Sequence, residues 1–180
     1  MFSKILVAIN NTENYRYVFE QALSLALATN AQLLLFHVIS PFDDDYSNDV
    51  STKQKDNMYV TSHTRGVKYY VNQWEALKQS GMEFLTSLSH EAIAQGVKVD
   101  FAQKLGDPGR LICEIAHTWN ADLIIVGRRG VSRVSEFFMG SVSNYVLHHA
   151  PCSVLTIQGT PSTRDKVKVE TLRAVSADLN

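Results

Sequence analysis

Short apolar runs alternate with amphipathic stripes along residues 4–158, and no other feature of the chain limits its fold as tightly. Lys4-Ile-Leu-Val-Ala-Ile-Asn10 is rich in branched side chains and ends in a polar Asn-Asn-Thr cluster. It reads as a strand buried on both faces. Tyr15, Val18, Phe19, Ala22, Leu23 and Ala26 then recur at helical spacing, with Asn11 or Thr12 as the expected cap and Glu13 in the first turn. Further strands are expected at Gln32–Ile39, Val97–Lys104, Asp122–Gly127 and Ser153–Ile157. Between them lie helical stripes: Trp74, Leu77, Phe84, Leu85, Leu88 and Ala92 within 71–95, and Leu111, Ile112, Ile115, Ala116 and Trp119 after Asp107-Pro108. There Asp caps the helix and Pro takes the first helical position, where its missing N–H costs nothing. A last helix runs from Ser141 to His149.

Repeated strand–helix–strand units imply right-handed crossovers and a parallel sheet. The expected fold class is therefore α/β: an open, twisted, five-stranded parallel sheet with helices on both faces, in strand order 3-2-1-4-5. A single domain spans 1–158, with an insertion at 41–70 after the second strand and a polar tail at 159–180, in which Val167–Val169 reads as one short strand. The insertion carries Asp43-Asp44-Asp45 and no sustained period. It reads as a functional or mobile loop or a partly helical segment, and its open roles are a lid from which Arg65 or Lys68 reaches the ligand, a dimer arm through Tyr46, Tyr59, Tyr69 and Tyr70, or plain disorder.

Charge and composition exclude several classes. Seventeen Lys and Arg against eighteen Asp and Glu leave a formal charge of −1, without the basic surplus of a nucleic-acid binder. No apolar run approaches the ~18 residues of a membrane span, and Ile5–Ile9 is too short for a signal-peptide core. Cys113 and Cys152 form no CxxC and suit a reducing compartment. The expectation is a soluble, cytoplasmic protein with neither a membrane nor a nucleic acid as partner.

In such sheets ligands bind at the carboxyl ends of the strands, where strand order reverses. That directs attention to Asn10-Asn11-Thr12 and to the end of the fourth strand. Gly127-Arg128-Arg129-Gly130 stands there, followed by nine residues and then Gly140-Ser141 opening a helix. The glycines let the backbone turn sharply and approach a ligand, and the first amides of the helix suit a phosphate. Ser141 and Ser143 add hydroxyl donors, and Arg128, Arg129 and Arg133 add cations. The plainer readings are that the glycines shape a turn, Ser141 caps its helix, and the arginines are solvated or pair with Glu136. No GxxxxGK[ST] is present, and no GxGxxG follows the first strand. A Mg²⁺ role for Asp43-Asp44-Asp45 competes with a solvated acidic loop. His37 reads as a core histidine, and His148-His149 point about 100° apart on a helix, a poor metal pair. No metal site is expected, the cysteines read as packing groups, and no catalytic constellation is legible.

Taken together, Lys4-Ile-Leu-Val-Ala-Ile9, Phe36-His37-Val38-Ile39, Gly106-Asp107-Pro108, Ala121-Asp-Leu-Ile-Ile-Val-Gly127, the G-x2-G-x9-G-S pattern and Ala150-Pro-Cys-Ser-Val-Leu155 strongly resemble the universal stress protein family, in its ATP-binding branch. The resemblance covers residues 3–158 apart from 41–70, and it implies a Rossmann-like fold of the adenine nucleotide alpha hydrolase type. It implies that Gly127 lies against a ribose and that Gly130, Gly140, Ser141 and Val142 present amides to phosphates. It further implies that Val38 bonds adenine through its backbone and that Ala8 lines the adenine pocket. Where that branch typically has an aspartate at the ribose or base, this chain has Asn10. The function implied is a homodimeric regulatory stress-response protein binding ATP, ADP or AMP, with Mg²⁺ as a companion ion and regulatory proteins as partners. A slow Mg²⁺-dependent ATPase or autophosphorylating enzyme, and a nucleotide-independent interaction module, stand as alternatives. Dimerisation is expected through the apolar edge strand Val154-Leu-Thr-Ile157.

Overall fold

The first strand, β1 (Lys4–Ala8), occupies the centre of the sheet because its three middle residues are apolar and buried on both faces. The computed structural model describes residues 1–11, 14–40, 63–128 and 140–158. Among these, β1 is followed by α1 (Tyr15–Thr29), β2 (Gln32–Ile39), α2 (His63–Ala94), β3 (Val99–Leu105), α3 (Pro108–Trp119), β4 (Leu123–Arg128), α4 (Ser141–His149) and β5 (Ser153–Gln158). The strands form one parallel sheet in the order β3-β2-β1-β4-β5, the order expected from the alternation. Its register sets Val7 against Leu35 on one side and Ile125 on the other.

Side-chain alternation along the strands divides the core in two. Ile5, Val7, Leu33, Leu35 and Ile125 pack under α1 and α2, against Val18, Phe19, Ala22, Leu85, Leu88 and Ala92. Leu6, Leu34, Phe36, Ile124 and Val126 pack on the opposite face, against Ile112 and Ala116 of α3 and Val146 of α4. Each such side chain contributes roughly 1.5–3 kcal/mol on burial, so the central strands dominate the driving force for folding. No helix among the described residues is long and apolar enough to cross a membrane.

Several element boundaries differ from the expectation. Strand β1 ends at Ala8 rather than Asn10, although the Ile9 amide still donates to Phe36 at 3.0 Å. Helix α1 starts at Tyr15 with Asn14 as its N-cap, so Asn11 is not the cap; Thr12 and Glu13 lie outside the described residues. The first helical bond runs from the Val18 amide to the Asn14 carbonyl, and no acidic residue stands in the first turn. Helix α2 begins at His63, eight residues inside the stretch read as an insertion. Strand β3 begins at Val99 because Val97 is still engaged in closing α2, its amide donating to Ala92 while Gly96 turns the chain at φ 86°. Residues 159–180, with the short strand read at Val167–Val169, lie outside the described residues.

Three caps follow local chemistry. Asp107 accepts from the Arg110 amide at 2.8 Å, with Pro108 in the first turn of α3, as the sequence predicts. Helices α1 and α3 both close on an asparagine in the left-handed region, Asn30 at φ 54° and Asn120 at φ 56°. Asparagine tolerates that conformation better than other residues with a side chain.

Candidate functional site

At the carboxyl edge of the sheet β1 and β4 part. Their last register pair is Ala8–Val126, after which the Ile9 amide turns to β2 while β4 runs on beside β5 through Gly127–Ile157 and Arg128–Gln158. Strand order reverses at this point, which is where open α/β sheets form a ligand crevice. Ala8 and Val38 are half-buried near the carboxyl ends of β1 and β2 and pack against the same cluster as Val142, on the α3–α4 face. Asn10 is half-buried just beyond the end of β1.

Helix α4 brings its N-terminus to this crevice. Its N-cap is Gly140, which offers no side-chain cap, and the first backbone bond runs from Asn144 back to Gly140 at 2.9 Å. Ser141 is therefore not the cap. The amides of Ser141, Val142 and Ser143 have no acceptor within the helix, and the helix dipole adds partial positive charge there. Ser141 is exposed and Val142 half-buried. By alternation along β4, Arg128 falls on the same face as Val126, the face that carries α4.

Gly127 has a packing reason of its own. A Cβ at this position would meet Val18 Cγ2 of α1 at 3.0 Å. On the other side the Ser143 hydroxyl donates to the Gly127 carbonyl at 3.1 Å. Ser143 is 3 % exposed, so its hydroxyl faces the end of β4 and not solvent. Sequence spacing grouped Ser143 with the phosphate donors, but the structure commits its proton to Gly127. Nothing in the linear pattern pointed to Val18, since a helix residue more than a hundred positions from Gly127 leaves no local signal.

The structure thus brings Ala8, Val38, Gly127, Gly140, Ser141 and Val142 to one edge of the sheet, with Asn10 and Arg128 beside them. Gly130, Arg129, Arg133 and Asp43-Asp44-Asp45 lie outside the described residues.

The other titratable groups have structural places. His37 Nδ1 lies 2.9 Å from Gln103 Nε2, and its ring meets Phe84 edge-on. His149 stacks on Tyr145 at 4.1 Å and bonds the Tyr145 carbonyl in the last turn of α4. Cys113 and Cys152 are free thiols packed against the α3–α4 cluster, and burial pushes both up from the usual thiol range. Among the described residues no group of three or more His, Cys, Asp or Glu could hold a metal ion. Asp122, at the opposite edge, accepts from the Ser3 amide and hydroxyl, each at 2.7 Å, and from the Lys4 amide. Its burial works to raise the carboxyl, but these donors outweigh it and hold the group below the ordinary value.

Known proteins share this architecture. The family model described as "Universal stress protein family" matches residues 1–158. Universal stress protein Sll1388 from Synechocystis sp. is 36% identical over 157 residues, which span 87% of this chain and 98% of that protein. Universal stress protein UspA from Lactobacillus plantarum superposes with a TM-score of 0.63 at 22% identity, covering 87% of this chain and 97% of that one. A universal stress protein family protein from Arabidopsis thaliana, solved with AMP bound, is 25% identical at a TM-score of 0.55, covering 89% of this chain and 97% of its own. By its match over residues 1–158 and by its similarity to Sll1388, the chain belongs to the universal stress protein family.

Proposed function

We propose that the chain is a cytoplasmic, homodimeric regulatory protein of the stress response that binds ATP, ADP or AMP. The observation that carries this reading is the N-terminus of α4 standing at the β1–β4 crevice, on the face that holds Ala8 and Val38, inside the G-x2-G-x9-G-S frame. In this reading Ala8 lines the adenine and Val38 meets it through the main chain. Asn10 meets the ribose or base, and Gly127 lies against the ribose. The amides of Gly130, Gly140, Ser141 and Val142 receive the phosphates, with Arg128, Arg129 and Arg133 as cations at hand. The AMP-bound relative from Arabidopsis supports an adenine nucleotide as the ligand.

Asn10 accepts a neutral hydrogen bond where a carboxylate would accept a charge-assisted one, about twice as strong. The phosphate end therefore supplies most of the affinity. A companion Mg²⁺ would be held chiefly by the phosphates and water, with Asp43-Asp44-Asp45 as the acidic alternative. Binding in this form needs no general base, and the function proposed is sensing, with regulatory proteins reading the occupied state. The edge strand β5 supplies the dimer: two copies related by a two-fold axis set their β5 strands antiparallel and cover Leu155, which is 38% exposed.

Titration calorimetry on nucleotide-stripped protein with ATP, ADP and AMP, with and without Mg²⁺, tests the reading. One site per chain at micromolar affinity is expected. Gly130→Val, which sets a side chain where the backbone must meet phosphate, should weaken binding at least about tenfold, or roughly 1.4 kcal/mol. Absence of heat at millimolar nucleotide would overturn the reading in favour of an interaction module, and Mg²⁺-dependent turnover would replace it with the ATPase.

A further inference from the structure

The peptide of Gly127 is held from two sides. Val18 Cγ2 of α1 lies 3.0 Å from where a Cβ would stand, and Ser143 of α4 donates to the carbonyl across sixteen residues of chain. Gly127 is one residue past the last β1–β4 register pair, where the sheet ceases to fix β4 on that side. The Ser143–Gly127 bond therefore ties the end of β4 directly to the first turn of α4. A hydroxyl has one proton to give, and here Gly127 receives it. What Ser143 Oγ still presents is lone pairs, which do not attract phosphate oxygens.

We propose that Ser143 is a positioning residue, whose buried bond to Gly127 sets the α4 N-terminus at a defined distance from the end of β4 before any ligand arrives. The inference rests on the nucleotide reading above for its ligand but on the Ser143–Gly127 geometry for its mechanism. Without the bond, the end of β4 and the start of α4 sample other separations, and only the fraction in the competent arrangement binds. Apparent affinity falls by that fraction. Losing one hydroxyl–carbonyl bond corresponds to about a fivefold effect.

The test uses the full chain and the variants Ser143→Ala and Ser143→Thr, with two readouts. Amide hydrogen exchange without nucleotide should quicken at the end of β4 and in the first turn of α4 in Ser143→Ala and return toward wild type in Ser143→Thr, which keeps the hydroxyl. Calorimetry should show Ser143→Ala weakening AMP and ATP by the same factor, about fivefold, because a displaced helix start harms every phosphate ligand alike. Unchanged exchange in Ser143→Ala would overturn the proposal. So would a weakening that grows with phosphate number, which would make Ser143 a direct contact. If the wild-type chain binds no nucleotide, the nucleotide reading fails by itself, and the exchange measurement still decides whether the bond holds the end of β4 to α4. Should the extra methyl of Ser143→Thr prevent folding, Ser143→Ala exchange alone decides it.

Discussion

Asp122 illustrates how a single side chain couples distant segments at the amino edge of the sheet. It bonds Ser3 and Lys4 across more than a hundred residues, while Lys4 Nζ donates to the Trp119 carbonyl and sits 5.1 Å from the Trp119 ring. Its carboxyl titrates below the unfolded value, so the stability it contributes is complete above about pH 4 and is lost as pH falls through the folded pKa. Asp122→Asn should therefore cost about 1 kcal/mol at neutral pH, and its deficit against wild type should shrink on acidification below about pH 4. Thermal melts of both proteins from pH 7 to 3 measure this; parallel curves would show that the Ser3 and Lys4 donors do not favour the charged form. The residue was legible only as part of the motif Ala121-Asp-Leu-Ile-Ile-Val-Gly127. Its partners come from the other end of the chain, and spacing carries no record of them.

At the scale of elements, legibility followed burial. Strands β1, β2 and β4 lie between two helical layers, so nearly every residue in them is apolar and their runs stand out. Helix α2 shows the converse. At 32 residues it is about 48 Å long, against about 27 Å for the eight-residue β2. Its buried positions, among those whose burial is described, are Gly81, Leu85, Leu88, Ser89 and Ala92. The buried stripe described lies in the second half of the helix, and the sequence of residues 63–70 shows no apolar period of its own, which is why they read as insertion. Gly109 was legible only as part of a helix start, yet it sets the approach of α3 to α4. A Cβ there would meet Tyr145 Cδ1, Cγ and Cβ at 2.8–3.0 Å. Rotation of the ring would relieve Cδ1 and Cγ, but the Tyr145 Cβ is fixed to the α4 backbone and would remain in contact unless the helix moved. Gly109→Ala should cost about 1–3 kcal/mol by overpacking, visible as a lowered urea midpoint at unchanged slope. An unshifted midpoint would show that α3 and α4 slide apart freely.

At the scale of the whole molecule, the dimer proposed through β5 follows from where the sheet stops. Neither edge strand is buried like the centre, but β3 exposes Asp100 and Lys104, with Leu105 exposed only at its last position, whereas β5 exposes Leu155 in its middle. Charged residues protect an edge from pairing and apolar ones invite it. Leu155→Lys should weaken self-association at least about tenfold, or roughly 1.4 kcal/mol, and leave the fold intact. Light scattering across a concentration series checks this, and an unchanged mass would move the interface away from β5. What the sequence by itself determined is the order of strands and helices, the parallel sheet and the glycine frame of the candidate site. Periodicity, caps and turn residues act between neighbours a few positions apart, so a linear reading captures them. Only the tertiary structure decided which groups meet: Ser143 with Gly127, Val18 behind Gly127, Asp122 with Ser3 and Lys4, Gly109 with Tyr145. Those contacts arise where crossovers bring separate helices and strands to one edge, and their geometry is set by how the layers pack.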